Sequence, residues 1–153
     1  MNQPLREIVI PKEKAVFRMD GNGHWFNRHG RFEHKKIIDY FNRSIQKDDN
    51  GYYVCQIRGD IREKVYFFYE DTPVFAVKVI MGDTTTLLLN TGGKIKLDPN
   101  HLYIKNDRLF QKDEDMLIKF TEQAMMAMAN LMEERKNRVF IKLNNNDYEI
   151  PEY

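Results

Sequence analysis

The chain has one cysteine, Cys55, and one serine, Ser44, in 153 residues. A lone cysteine excludes an intramolecular disulfide and a multi-thiolate metal site. A lone serine inside an apolar-periodic stretch gives no strained elbow for a serine nucleophile. Net charge is also lacking: 24 basic against 23 acidic residues leave +1, so there is no general electrostatic reason to bind nucleic acid or an anionic membrane. No stretch approaches the roughly 18–20 apolar residues of a membrane span. The opening MNQPLREIVIPKEK lacks the apolar run of about 7–15 residues that a signal peptide needs. The expectation is a cytoplasmic protein with neither a nucleic-acid nor a membrane partner.

What is present is core-forming material. The chain is 42% hydrophobic and 12% aromatic, enough for one domain or two very small ones. KAVFRMD at 14–20 reads as a strand, GNG at 21–23 as a turn and HWFN as its returning partner. Residues 33–47 read as a helix, because Ile37, Phe41 and Ile45 recur at i, i+4, i+8 with Ile38 beside them. Strands follow: YYVCQIR (52–58), KVYFFYE (64–70), VFAVKVI (74–80) and TTTLLLN (84–89 onward), rich in β-branched and aromatic residues. The short breaks between the last three argue for antiparallel neighbours. KIKL, HLYIK (101–105) and RLFQK (108–112) continue as short strands.

Residues 114–135 predict the longest helix. Leu117, Phe120, Ala124, Ala127, Met128 and Leu131 form one stripe; Ile118, Met125 and Met132 form a second. Two stripes imply cover on two sides. The tail VFIKLNNNDYEI predicts a hairpin around NNND. A weak repeat is visible: the strand–turn–strand–helix order from FRMDGNGHWFNRHGRF recurs from LYIKNDRLF, with Trp25 opposite Leu109 and Phe41 near Phe120. The fold class read from this is α+β. It has two related hairpin-plus-helix halves, the second an antiparallel meander with a long C-terminal helix. The divisions are 1–50 and 51–153.

Several chemical motifs fail on spacing. GNG lacks the third glycine of a dinucleotide fingerprint, since Phe26 stands there, and no glycine precedes Lys-Ser/Thr as in a P-loop. His24, His29 and His34 match no standard ligand spacing, so no metal and no cofactor is expected. Arg58, Arg62 and Lys64 among Tyr52, Tyr53 and Tyr66 form a basic-aromatic strand edge, a chemistry that suits an anionic planar ligand. Glu70–Asp71 close an apolar strand, where sites collect.

GHWFNRHG (23–30), KIIDYFNRSI (36–45), DDNGYYV (48–54) and VYFFYEDTPVFAVKV (65–79) together resemble domain-of-unknown-function family twelve eighty-five (DUF1285), a bacterial family. The resemblance implies a duplicated α+β architecture. Its second half would look superficially like a pleckstrin-homology barrel closed by a helix. It also implies a nucleotide-like ligand between the halves and a signalling role. The matching positions are Trp25 and Glu70–Asp71–Thr72–Pro73. Departures are His34, where the family tends to arginine, and RGDIRE in place of a T-P-x-E stretch.

Three functional readings follow. The first is a non-enzymatic module for a small anionic or nucleotide-like ligand. In it Arg62 and His34 meet negative charge, Trp25 walls the site, and Asp71, beside Glu70, accepts hydrogen bonds. The alternative is an oligomeric interaction scaffold built on the 114–135 helix. The third is a metal-dependent hydrolase using Glu70, Asp71 and a histidine-bound metal.

Overall fold

The computed structural model describes residues 5–153, and these divide into two compact units, one ending at Pro73 and the other running Val74–Tyr153. Of the described residues, 49% lie in strands and 17% in helices. The fold is therefore mostly β with two short α-helices, which corrects the α+β expectation.

In the first unit, β1 (Arg6–Ile10) leads through a 3₁₀ turn to β2 (Phe17–Met19), β3 (Trp25–Asn27) and β4 (Gly30–Arg31). Helix α1 (Lys35–Arg43) follows, then β5 (Ile45–Asp48), β6 (Gly51–Arg58) and β7 (Ile61–Tyr66). The β2–β3 hairpin read from the sequence is present, with Phe17 opposite Asn27 and Met19 opposite Trp25. Along β2 and β3, Phe17, Met19 and Trp25 point inward, so Arg18 and its cross-strand partner Phe26 point outward. Helix α1 is shorter than the 33–47 expected. Its Ser44 cap hands over at once to β5, and Ile45, counted in the helical stripe, is instead a buried strand residue opposite Val54.

The second sheet of this unit runs β1-β7-β6-β5, with β1 parallel to β7 and the rest a meander. β7 is paired on both edges, by β1 and β6, but Val65 is its one buried residue. The core gathers Phe17, Trp25, Phe41 and Phe67. The Trp25 ring centroid stands 5.7, 5.3 and 5.0 Å from the other three.

The second unit opens with β8 (Phe75–Ile80), β9 (Thr86–Leu89) and β10 (Lys94–Lys96), then β11 (Leu102–Lys105), β12 (Arg108–Lys112) and β13 (Leu117–Phe120). These six form one sheet, ordered β10-β9-β8-β13-β12-β11, in which β13 runs parallel to β8. β7 and β8 belong to different sheets, so the short DTP break does not make them antiparallel neighbours. Helix α2 (Glu122–Met128) follows, then a 3₁₀ turn and the sheet β14 (Met132–Arg135), β15 (Arg138–Leu143), β16 (Asn146–Ile150).

The long helix over 114–135 is not formed, and with it goes the helix that was to close a pleckstrin-homology-like barrel. Leu117, Ile118 and Phe120, placed in its stripes, lie in β13, held by β12 on one side and β8 on the other. Thr121 is the N-cap of α2: its Oγ1 accepts the Ala124 N–H at 3.1 Å, which satisfies one of the orphan donors of the first turn. Only the Ala-Met run between Glu122 and Met128 stays α-helical, with the 3₁₀ turn Ala129–Leu131 after it. It buries Ala124 and Met128, leaves Met126 75% exposed, and gives way to β14. The oligomer scaffold reading loses the element it was built on.

The repeat is real and longer than the sequence suggested. β2-β3-β4, α1, β5-β6-β7 in the first unit has the same order and pairing as β11-β12-β13, α2, β14-β15-β16 in the second. β8–β10 are the addition. Three of the second unit's hairpins turn on two successive residues of positive φ: Asn106–Asp107, Lys136–Asn137 and Asn144–Asn145. That is the type I′ geometry whose twist matches the flanking strands. The expected hairpin around NNND is one of them.

Candidate functional site

The five residues singled out from the sequence have different fates. Trp25 is 1% exposed, and its indole Nε1 donates to Asn42 Oδ1 at 2.7 Å. It is a core residue with no face left for a ligand. His34 is the exposed N-cap residue of α1 and makes no side-chain cap bond; it lines a shallow groove with Arg31 and Ile37. Glu70 and Asp71 are both exposed, with Asp71 at a φ of +48° in the link to the second unit. Arg62 lies on the β7 face, where its Nε donates to Cys55 Sγ at 3.4 Å and its Nη2 to Gln46 Oε1 at 3.4 Å. The Cys55 contact is the main cause that raises the Arg62 pKa above its ordinary value.

The basic-aromatic edge is a network closed on itself. Strand alternation puts Val54 and Val65 on the inner face and Asp48, Tyr53, Lys64 and Tyr66 together on the other. Lys64 Nζ donates to Asp48 Oδ2 at 2.7 Å, and the Tyr66 hydroxyl donates to the same oxygen at 2.5 Å. The ammonium lies 4.4 Å from the Tyr53 ring centroid and 3.8 Å from Glu7. The Lys64 side chain is only 14% exposed. Asp48 is held down to about 2, first by the hydrogen bond from Lys64 and then by Tyr66. The same pair raises Lys64 above the ordinary lysine value, and the bond to Asp48 raises the Tyr66 phenol. Burial is the leading cause that raises Tyr52, against a hydrogen bond with Thr72. Lys64 is flanked by two carboxylates, Asp48 and Glu7, and is not a free anion hook.

A second surface of the same unit is different. A groove of about 830 Å³ runs between the 3₁₀ turn at Lys12–Lys14 and the β2–β3 hairpin. It is lined by Lys12, Val16, Arg18, Phe26, Arg28 and Phe68 among others. Its walls are apolar and open: Val16 is 80% and Phe68 50% exposed. The Arg18 guanidinium lies over the Phe26 ring at 4.6 Å, and Lys12 Nζ stands 5.2 Å from the Phe68 ring. Arg28 Nε donates to His29 Nε2 at 3.2 Å. Neither Arg18 nor Arg28 has a carboxylate partner among the described residues, and Glu13 is the one acidic residue of the lining. Arg31 is the other cross-strand neighbour of Phe26, so one outward row reads Arg18, Phe26, Arg31.

The signal for this row was in the hairpin itself. Once Phe17 and Trp25 face inward, Arg18 and Phe26 must face outward as a pair. The first three histidines do not converge: His24 sits 3.6 Å from Asp20, His29 is bonded to Arg28, and His34 starts the helix. The fourth, His101, lies between two aspartates and was not weighed from the sequence.

No family model and no curated protein matches the chain. Solved structures do. A DUF1285 family protein from Silicibacter pomeroyi DSS-3 aligns over 95% of this chain and 84% of its own, with a TM-score of 0.61 at 10% identity. The chain has the DUF1285 fold. A second DUF1285 family protein, from Shewanella baltica OS155, aligns over 78% of this chain and 94% of its own, with a TM-score of 0.54 at 16% identity. The resemblance carried by GHWFNRHG and VYFFYEDTPVFAVKV is thus borne out in the fold. At these identities the DUF1285 likeness is one of backbone architecture. No helix among the described residues is long and apolar enough to cross a membrane.

Proposed function

We propose that this chain is a non-enzymatic binding module whose first unit takes a small anion carrying a planar or apolar part, a class that includes nucleotides. The observation that carries the reading is the pair Arg18 and Arg28, two guanidinium groups without carboxylate partners on the wall of an apolar groove. Guanidinium groups match phosphate and carboxylate oxygens in a two-pronged geometry and stack on flat rings. The volume, about 830 Å³, falls in the range of small-molecule sites. The ligand class expected from the sequence is kept. The residues change: Arg18, Arg28 and Lys12 take the anion, and Phe26, Phe68 and Val16 take the flat or apolar part, in place of Trp25, His34, Arg62, Glu70 and Asp71.

Calorimetric titration with AMP, GMP, NADH and inorganic phosphate tests this. At least one nucleotide should bind more tightly than phosphate alone, and Arg18→Ala and Arg28→Ala should each weaken it by about tenfold, as expected for loss of a charge-assisted contact. Absence of binding by every probe, or wild-type affinity in both variants, would overturn the reading.

A further inference from the structure

A second cluster lies in the other unit. Asp98 precedes the 3₁₀ turn between β10 and β11, His101 ends that turn, and Asp113 follows β12. His101 Nδ1 stands 2.9 Å from Asp98 Oδ2 and 3.4 Å from Asp113 Oδ1. The three donor atoms all lie within 4.8 Å of one another. We propose that Asp98, His101 and Asp113 form a binding site for a divalent first-row transition-metal ion.

The geometry suits such an ion. With metal–ligand bonds of about 2.1 Å, neighbouring donors are separated by about 3.0 Å in an octahedron and about 3.4 Å in a tetrahedron. The two separations from His101, 2.9 and 3.4 Å, span the range between these edges, and the third side of the triangle is no longer than 4.8 Å, so small side-chain rotations bring the three donors to one ion. The donor set is chemically selective. One imidazole nitrogen with two carboxylate oxygens suits zinc, manganese or cobalt, whereas calcium and magnesium take oxygen-only shells. Two carboxylates also balance the charge of the ion.

The ligands are held from behind. Gln111 is fully buried; its Oε1 accepts the Asp98 N–H at 2.9 Å and its Nε2 donates to the Lys96 carbonyl at 3.2 Å. Asp98 Oδ1 accepts the Asn100 N–H at 3.1 Å, which turns Oδ2 toward His101. The Asp113 N–H donates to the Met116 carbonyl at 2.9 Å, fixing the second loop. Supports of this kind orient first ligands and tune affinity. Asp98 and Asp113, though not His101, line a groove of about 470 Å³ together with Lys96 and Tyr148, and the His101 side chain is itself 52% exposed, so water can reach the donors.

The experiment is titration of protein purified without an affinity tag with Zn²⁺ and Mn²⁺, with Ca²⁺ as control, read by calorimetry and by metal content after dialysis. One equivalent of zinc or manganese should bind, at least tenfold more tightly than calcium. His101→Ala and Asp113→Asn should each weaken binding by tenfold or more. Because both side chains are about half exposed, these variants should keep the wild-type circular dichroism. If the single equivalent binds both folded variants as tightly as wild type, or if no stoichiometric uptake occurs, the site is refuted. Nucleotide binding at Arg18 is unaffected by either result, since it rests on the first unit.

Discussion

Lys64 and Asp147 occupy the same position in the two three-stranded meanders and carry opposite charges. Lys64 lies opposite Cys55 on the central strand, and Asp48 closes the strand on the far side. Asp147 lies opposite Lys142, and Arg135 closes the far strand at the position that matches Asp48. Both pairs meet, at 2.7 and 3.1 Å. In both the cation lies over the aromatic ring of the central strand: Lys64 over Tyr53 at 4.4 Å, Arg135 over Phe140 at 4.1 Å. The meander tolerates either polarity, because a cation over a ring needs only one anion beside it.

Asp48 should make the fold sensitive to acid. Its pKa is depressed in the fold to about 2 from 3.8. Between these values the folded state binds fewer protons than the unfolded one, so stability is full above about pH 4 and falls as pH drops toward 2. Urea midpoints across pH 6 to 2 should decline over that window. In Asp48→Asn the midpoint at pH 6 should be lower and the decline shallower. An unchanged slope in the variant would exclude Asp48 as a source of the acid response.

Asn42 is the partner that lets Trp25 be buried. Asn42→Ala strands the indole N–H and should cost about 1–3 kcal/mol, the usual penalty for an unsatisfied buried donor. Unfolding followed by the emission of the chain's single tryptophan gives the value. A loss near zero would mean that water replaces the amide.

Gln111→Leu removes both bonds that hold the loop carrying Asp98. It should destabilise by about 1–3 kcal/mol and speed hydrogen exchange at the Asp98 amide. Mass spectrometry of exchanged peptides covering 96–101 checks the local effect. Exchange no faster than wild type would show that the turn holds itself.

The β14–β15 turn holds Lys136 at a φ of +51° and Asn137 at +65°. The left-handed region costs an ordinary L-residue roughly 1–2 kcal/mol. Lys136→Gly should therefore stabilise by up to about 1 kcal/mol, and Asn137→Val should destabilise by about 1–2 kcal/mol. Thermal midpoints moving in the same direction in both variants would contradict the turn assignment.

The sequence reading succeeded where a rule is local. Glycine and asparagine marked the turns at 21–23 and 144–145, because few other residues tolerate positive φ there. It failed over 114–135, where two strands and a seven-residue helix share a pattern that also fits one long helix. Ile118 and Phe120 are apolar under either reading. Pairing with β8 and β12 decided that they belong to a strand, and Thr121, the cap that divides the stretch, went unread. The surroundings of the polar and aromatic candidates were not legible for a related reason. Trp25 and Lys64 have the chemistry of ligand contacts, but Asn42 and Asp48 already satisfy them. No spacing rule shows which polar partner the fold will supply.

By itself, then, the sequence determined the turns, most of the short strands, the repeated hairpin-and-helix order and the scarcity of cysteine and serine, all of which are read from composition or from residues near one another in the chain. Tertiary structure alone decided that 117–120 is a strand, that Trp25 is sealed in the core, that Arg18 and Arg28 stand without carboxylates among the described residues, and that His101 meets Asp98 and Asp113. Strand pairing and charge pairing join residues from distant parts of the chain, and their free energies depend on which neighbour arrives.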